Sequence, residues 1–147
     1  MSYTNMATRR KIADRSFANH TKRAQTKAML LPMNVVMARQ VSLENHLSLE
    51  TLRSGVAGEH QFNGICQAYC IARFLHEAGY GGSRDNLFEE AERVLLHCRA
   101  TADKTGDWWF DDEACRILAE IVTLHDAQCA VAPVHALICA NERLKTR

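Results

Sequence analysis

The sequence predicts an all-α protein, a bundle of four to five helices preceded by a flexible basic N-terminal arm. Three observations predict it. Apolar residues in the body recur at a period near 3.6 rather than 2, the spacing that keeps one face of a helix inward. Seven glycines and two prolines punctuate 147 residues, too few for the many tight turns of a sandwich or barrel. Three of those glycines, Gly55, Gly79 and Gly106, stand where helices would end. The composition, 47% hydrophobic and 24% charged, is that of a globular domain, and residues 33–147 are read as one. The longest uncharged apolar stretches, residues 28–31 and 127–134, fall far short of the roughly 20 residues that a membrane-spanning helix needs.

The arm, residues 1–32, carries the charge asymmetry. Within residues 1–30, Arg9, Arg10, Lys11, Arg15, Lys22, Arg23 and Lys27 stand against Asp14 alone, a balance of +6. Residues 31–140 hold eight basic and fifteen acidic side chains, a balance of −7, so the overall +1 hides a strong separation. A basic arm on an acidic body suits contact with a polyanion, because each neutralised phosphate releases a condensed counterion, although with Tyr3 and Phe17 as its only aromatics a solvated, disordered leader is the preferred reading. Arg9 and Arg10 open like a twin-arginine signal, but no apolar region follows, and the chain is expected to be cytoplasmic. An organelle transit peptide shares the Arg-rich, acid-poor start and stays open as an alternative. The six cysteines are expected to be reduced and to serve as small core residues.

The first helix is expected over about residues 34–54, with Val36, Leu43, Leu47 and Leu52 on one side and Arg39, Glu44, Asn45 and Glu50 largely elsewhere. The second, about residues 59–78, carries Phe62, Ile65, Tyr69 and Ala72 on one stripe and Cys66, Cys70 and Phe74 on the next. That wide apolar face should make it the most buried element. Ser83, after the Gly81 and Gly82 turn, is the expected N-cap of a third helix in which Leu87, Ala91, Val94, Leu95, Cys98 and Ala102 repeat at helical spacing. Glu89 and Arg93 form an i,i+4 pair on its outer face. The fourth has the clearest start: Asp111 caps, Asp112 and Glu113 sit at the positive end of the dipole, and Phe110 staples against Cys115. Its inner stripe is Ala114, Ile117, Leu118, Ile121 and Leu124 or His125. Pro133 either kinks this helix or opens a fifth, about residues 133–145, with Val134, Leu137, Ile138 and Leu144 as its apolar side.

Enzyme signatures are missing: there is no GxSxG elbow, no HExxH pair and no Gly-rich phosphate loop, so the chain is read as a non-enzyme. His76 with Glu77, or His97 beside Cys98, could do acid–base or thiol work only if they lined a pocket. Cys66 with Cys70, His125 with Cys129, and His135 with Cys139 are each four apart, so a helix puts both members on one face, and two facing pairs could close a tetrahedral zinc site. They lack short CxxC knuckles, so core packing is preferred, and neither metal nor cofactor is expected. Residues 103–114 imitate a calcium loop but place Trp108 where that loop needs Gly and Ala114 where it needs a bidentate Glu.

The cluster Trp108, Trp109 and Phe110 is the clearest interaction feature, because adjacent aromatics at a helix junction cannot all point inward and Trp is enriched in binding hot spots. Two of the three are expected to pack between the third and fourth helices. Asp85, Glu89, Glu90, Glu92, Asp111, Asp112 and Glu113 are read as an acidic face for a basic partner, such as one that normally holds nucleic acid.

Leu52-Arg53-Ser54-Gly55, the segment Ile71-Ala72-Arg73-Phe74-Leu75-His76-Glu77-Ala78-Gly79, and above all Leu124-His125-Asp126-Ala127-Gln128 resemble small helical proteins carried by phages and plasmids of proteobacteria, some of them labelled Fis-family regulators. The resemblance covers about residues 40–130 and implies an accessory protein of a mobile element. It transfers no catalytic or ligand residues. Two functions are therefore expected in turn. In the first, the protein docks on a host protein or ribonucleoprotein complex, a defence system among the candidates, through Trp108, Trp109, Asp111, Asp112, Glu113, Glu89 and Glu90. In the alternative, the arm residues Arg9 to Lys27 contact nucleic-acid phosphates and the bundle dimerises, although no base-reading pair of short helices stands out.

Overall fold

A computed structural model describes residues 26–146. After a helical turn at residues 26–30 come five helices: α1 (Val35–Ser54), α2 (Glu59–Glu77), α3 (Leu87–Thr105), α4 (Asp112–Val131) and α5 (Val134–Lys145). No strand occurs among the described residues, only isolated bridges from Pro32 to Pro133 and from Ala57 to Trp108. The all-α bundle stands. Among the described residues, no helix is long and apolar enough to cross a membrane.

Local chemistry explains the ends. Asn34 Oδ1 accepts the Val36 N–H at 2.7 Å, and Asp111 Oδ1 accepts the Ala114 N–H at 2.7 Å, so each cap satisfies a donor that its helix cannot. Gly55 and Gly106 end α1 and α3 in the left-handed region, at φ 75° and 78°. Ser83 does not cap α3. Residues 83–86 form a turn first, and the helix starts after Asn86, itself left-handed at φ 66°, a conformation that Asn tolerates better than most side chains. Pro133 opens a separate helix rather than kinking α4, and its bridge to Pro32 is joined by the Val134 N–H donating to the Leu31 carbonyl at 2.9 Å. That contact ties residues 31 and 32 to the body, so the end of the expected arm belongs to the fold.

α4 is packed by α1, α2 and α3, as α2 is by all four other helices. α4 buries ten side chains to the seven of α2, so the expectation that the second helix is the most buried is corrected. The wide face of α2 is shared between two clusters. Phe62, Ile65, Tyr69 and Ala72 enter the main core, whereas Phe74 and Leu75 join Ala132 and Ala140 in a smaller one beneath α5. In α5 Ala140 is buried, the expected Leu137 and Leu144 pack against the same cluster, and Ile138 is exposed.

α1 departs most from expectation. Leu49 and Leu52 are its buried residues, while Val36, Leu43 and Leu47 lie at the surface. Of the expected inner stripe only Leu52 faces inward, because the side toward α2 and α4 is otherwise built from the smaller or polar residues Ala38, Val41, Ser42, Asn45 and Ser48, followed by Leu49.

One polar anchor sits in the core. Gln128 is fully buried, and its Nε2 donates to the carbonyls of Ala72 at 2.9 Å and Tyr80 at 3.0 Å, fastening α4 to α2 and to the following turn. Gly81 lets that turn come close: it has φ +75°, and a Cβ there would lie 3.1 Å from both Gln128 Cγ and Leu124 Cδ1.

Candidate functional site

The loop from α3 to α4 sends its aromatics in two directions. Phe110 is buried, and its N–H donates to the Leu52 carbonyl at 3.1 Å, fixing the loop to the end of α1. Trp108 is half-buried on Phe62 of α2, ring centroids 4.7 Å apart, with the Arg99 guanidinium over both rings at 5.2 and 5.7 Å. Trp109 lies between them in sequence and turns outward, 55% exposed. The segment is extended where Trp108 bridges Ala57, so successive side chains take opposite sides. Two of the three aromatics pack, against α2 and α1 as much as between α3 and α4.

Beside Trp109 a groove of about 930 Å³ runs between α3 and the start of α4. Arg93, His97, Thr101 and Thr105 line it from α3, Asp107 and Trp109 from the loop, and Asp111 and Glu113 from α4. Three carboxylates against one guanidinium make it acidic on balance. Two thiols tether the groove wall: the Cys98 thiol donates to the Trp109 carbonyl at 3.4 Å, and the Cys115 thiol donates to the Phe110 carbonyl at 3.8 Å. Asp111 spends one oxygen on its cap, and Asp112 and Glu113 fill the first turn of α4, where the helix dipole favours negative charge.

The acidic residues named from the sequence are not one face. Trp109, Asp111 and Glu113 share the groove, and Asp112 is exposed beside it. Glu89 and Glu90 occupy the first turn of α3, just before Arg93, where the groove begins, and neither lines it. Glu90 is engaged by Arg84 at 2.6 Å, a bond that holds its carboxyl below the ordinary range, and Arg84 also grips Glu120 at 2.8 Å. The Glu89–Arg93 pair does not form; Arg93 lines the groove instead. Of the arm residues, Arg9, Arg10, Lys11, Arg15, Lys22 and Arg23 lie outside the described residues, and Lys27 is exposed in the helical turn.

The titratable clusters resolve differently. His125 and Cys129 meet inside α4, Sγ 3.7 Å from Nδ1. Burial lowers the imidazole below its ordinary value and pushes the Cys129 thiol up to about 11, so at neutral pH the pair is uncharged and lacks the thiolate a nucleophile needs. Burial also pushes Cys66 and Cys115 up to about 11. His135 and Cys139 approach to 3.8 Å on the exposed side of α5. Among the described residues, no three His, Cys, Asp or Glu side chains gather as a metal cage. His76 Nδ1 donates to the Gly81 carbonyl at 3.1 Å, and Glu77 is taken by Arg73 and Arg143.

Sequence reading missed Arg93 and Asp107 as groove residues, since nothing in their local pattern relates α3 to the start of α4, whereas His97 and Cys98, named on condition that they line a pocket, both line this one, with burial raising the Cys98 thiol above its ordinary pKa. It also missed Gln128, which a longer count of the inner stripe (117, 121, 124, 128) would have caught. The segment that carried the resemblance most strongly is structural: Leu124, His125 and Gln128 are buried, and Asp126 Oδ2 meets His46 Nε2 of α1 at 2.8 Å. No protein-family model, curated protein or solved structure matches the chain.

Proposed function

We propose that the protein is a binding module rather than an enzyme, and that the α3–α4 groove receives an arginine- or lysine-bearing segment of a macromolecular partner. The observation that carries this reading is Trp109, a half-exposed indole on a tethered backbone at the rim of an acidic groove. A cationic side chain finds two matched contacts there. The indole face contributes about 0.5–1 kcal/mol at an exposed site and more when water is excluded, and the carboxylates of Asp107 and Glu113 steer the approach. Burial raises the pKa of Cys98, the thiol that lines the groove, and so disfavours the thiolate that nucleophilic chemistry needs. A host complex whose basic surfaces normally grip nucleic acid would offer such segments, in keeping with the accessory role that the resemblance implies.

The test is calorimetric titration of the full chain with a hexa-arginine peptide. Trp109→Ala, and separately Asp107→Lys with Glu113→Lys, are expected to weaken binding at least about tenfold, or about 1.4 kcal/mol; Trp109→Ala should keep the melting temperature, while the charge reversal at Glu113 lowers it slightly because it opposes the helix dipole, without loss of the helical circular dichroism signal. Equal affinity in both variants and the wild type would overturn the proposal.

A further inference from the structure

α1 has two apolar faces, and the described residues cover one of them. Leu49 and Leu52 point into the core, while Val36, Leu43 and Leu47 are 70%, 59% and 56% exposed. At 100° per residue, Val36, Gln40, Leu43 and Leu47 fall within about 60° of one another on the side opposite the core. Their steps of four, three and four residues are those of a coiled-coil seam, read as d, a, d, a. Single exposed hydrophobics need no explanation, but three in register on one helix do.

We propose that this seam joins two copies of the chain, with α1 pairing in parallel with α1 of the second copy. Two features select that partner and that direction. In a parallel pair each seam residue meets its own counterpart, so the Gln40 amides can bond to one another across the axis; an antiparallel pair sets Gln40 against Leu43 and strands the amide. Parallel pairing also brings Arg39, at a g position, beside Glu44 of the second copy, at the following e position, and does so twice by symmetry. Among the described residues Arg39 enters no ion pair, and Glu44 accepts only the Gln40 amide, at 3.2 Å, so both charges are available. The core lies on the opposite side of α1, which keeps the two bodies apart. A four-layer seam is short, so the association is reversible and depends on concentration.

Analytical ultracentrifugation of the full chain under reducing conditions, over a concentration series, is expected to show a species of twice the 16.6 kDa chain mass. Leu43→Glu with Leu47→Glu is expected to leave only monomer while far-ultraviolet circular dichroism keeps its helical signal. Arg39→Glu alone should weaken association at least about threefold, and adding Glu44→Arg should restore it. A wild type that stays monomeric throughout, or a double variant at Leu43 and Leu47 that still dimerises, overturns the proposal. A chain that dimerises only after residues 1–25 are removed overturns it too, and assigns the seam to that segment. Failure of the reciprocal charge swap to restore association overturns the parallel pairing.

Discussion

α1 and α4 are both 20 residues long and pack against each other, yet α4 buries ten side chains and α1 buries two. Apolar content alone does not account for a fivefold difference, since α1 carries nine aliphatic or sulfur-bearing side chains to the twelve of α4. Neighbours do. α4 is flanked by α1, α2 and α3, whereas among the described residues α1 packs chiefly against α2 and α4. An apolar stripe is therefore an offer of burial that the fold accepts or leaves open. α4 shows the accepted case, down to a buried Gln128 that a purely apolar pattern would not have placed inside. In α1 the offer remains open, which makes it a surface for association.

The largest effect expected from breaking this contrast is in α4. Leu118→Ala removes a fully buried side chain and should cost about 2–5 kcal/mol, read as a lower denaturant midpoint with an unchanged slope. A loss under about 1 kcal/mol would mean that α4 is not buried in the core. Gln128→Ala comes next, because it withdraws both donors from the Ala72 and Tyr80 carbonyls and leaves a void; about 1–3 kcal/mol is expected, with faster amide exchange in the turn around Tyr80 and Gly81.

A smaller effect depends on pH. Burial holds the folded-state pKa of His125 below the unfolded value of about 6.5, so the unfolded chain binds the proton more readily. This contribution to stability is complete above that unfolded value and is lost as pH falls from it toward the folded pKa. Melting temperature should accordingly decline more steeply for the wild type than for His125→Gln between about pH 7 and pH 5; parallel declines would remove His125 as the cause. The smallest effect belongs to α1. Leu43→Ser should change monomer stability by less than about 0.5 kcal/mol in dilute solution, where association does not contribute. A cost near that of Leu118→Ala would show that the outer face of α1 is covered even in the monomer.

Much of the fold was legible because it is written locally. Asp111 before Asp112 and Glu113 marks the start of α4, Gly55 and Gly106 mark the ends of α1 and α3, and the 114, 117, 118, 121 stripe marks the inner face of α4. Where local signals compete, reading was harder. Ser83 is as good a cap by type as Asn86, and the choice fell to Asn86 because residues 83–86 first turn and Arg84 is held between Glu90 and Glu120. The candidate site was half legible. Three adjacent aromatics require that one point outward, but that the exposed one is Trp109 depends on Phe62 stacking with Trp108 and Leu52 pinning Phe110. Glu89 and Glu90 share a sign with Asp111 and Glu113, yet neither lines the groove, and Glu90 is held instead by Arg84.

What the sequence determined by itself is the set of helices, their caps and their breaks, because hydrophobic period, cap chemistry and left-handed glycines act over a few residues. Tertiary structure alone decided which stripe each helix buries, which aromatic reaches solvent and which charges share a groove. Those outcomes turn on distances between residues far apart in the chain, and a helix with two apolar faces, such as α1, does not specify on its own which one its neighbours will take.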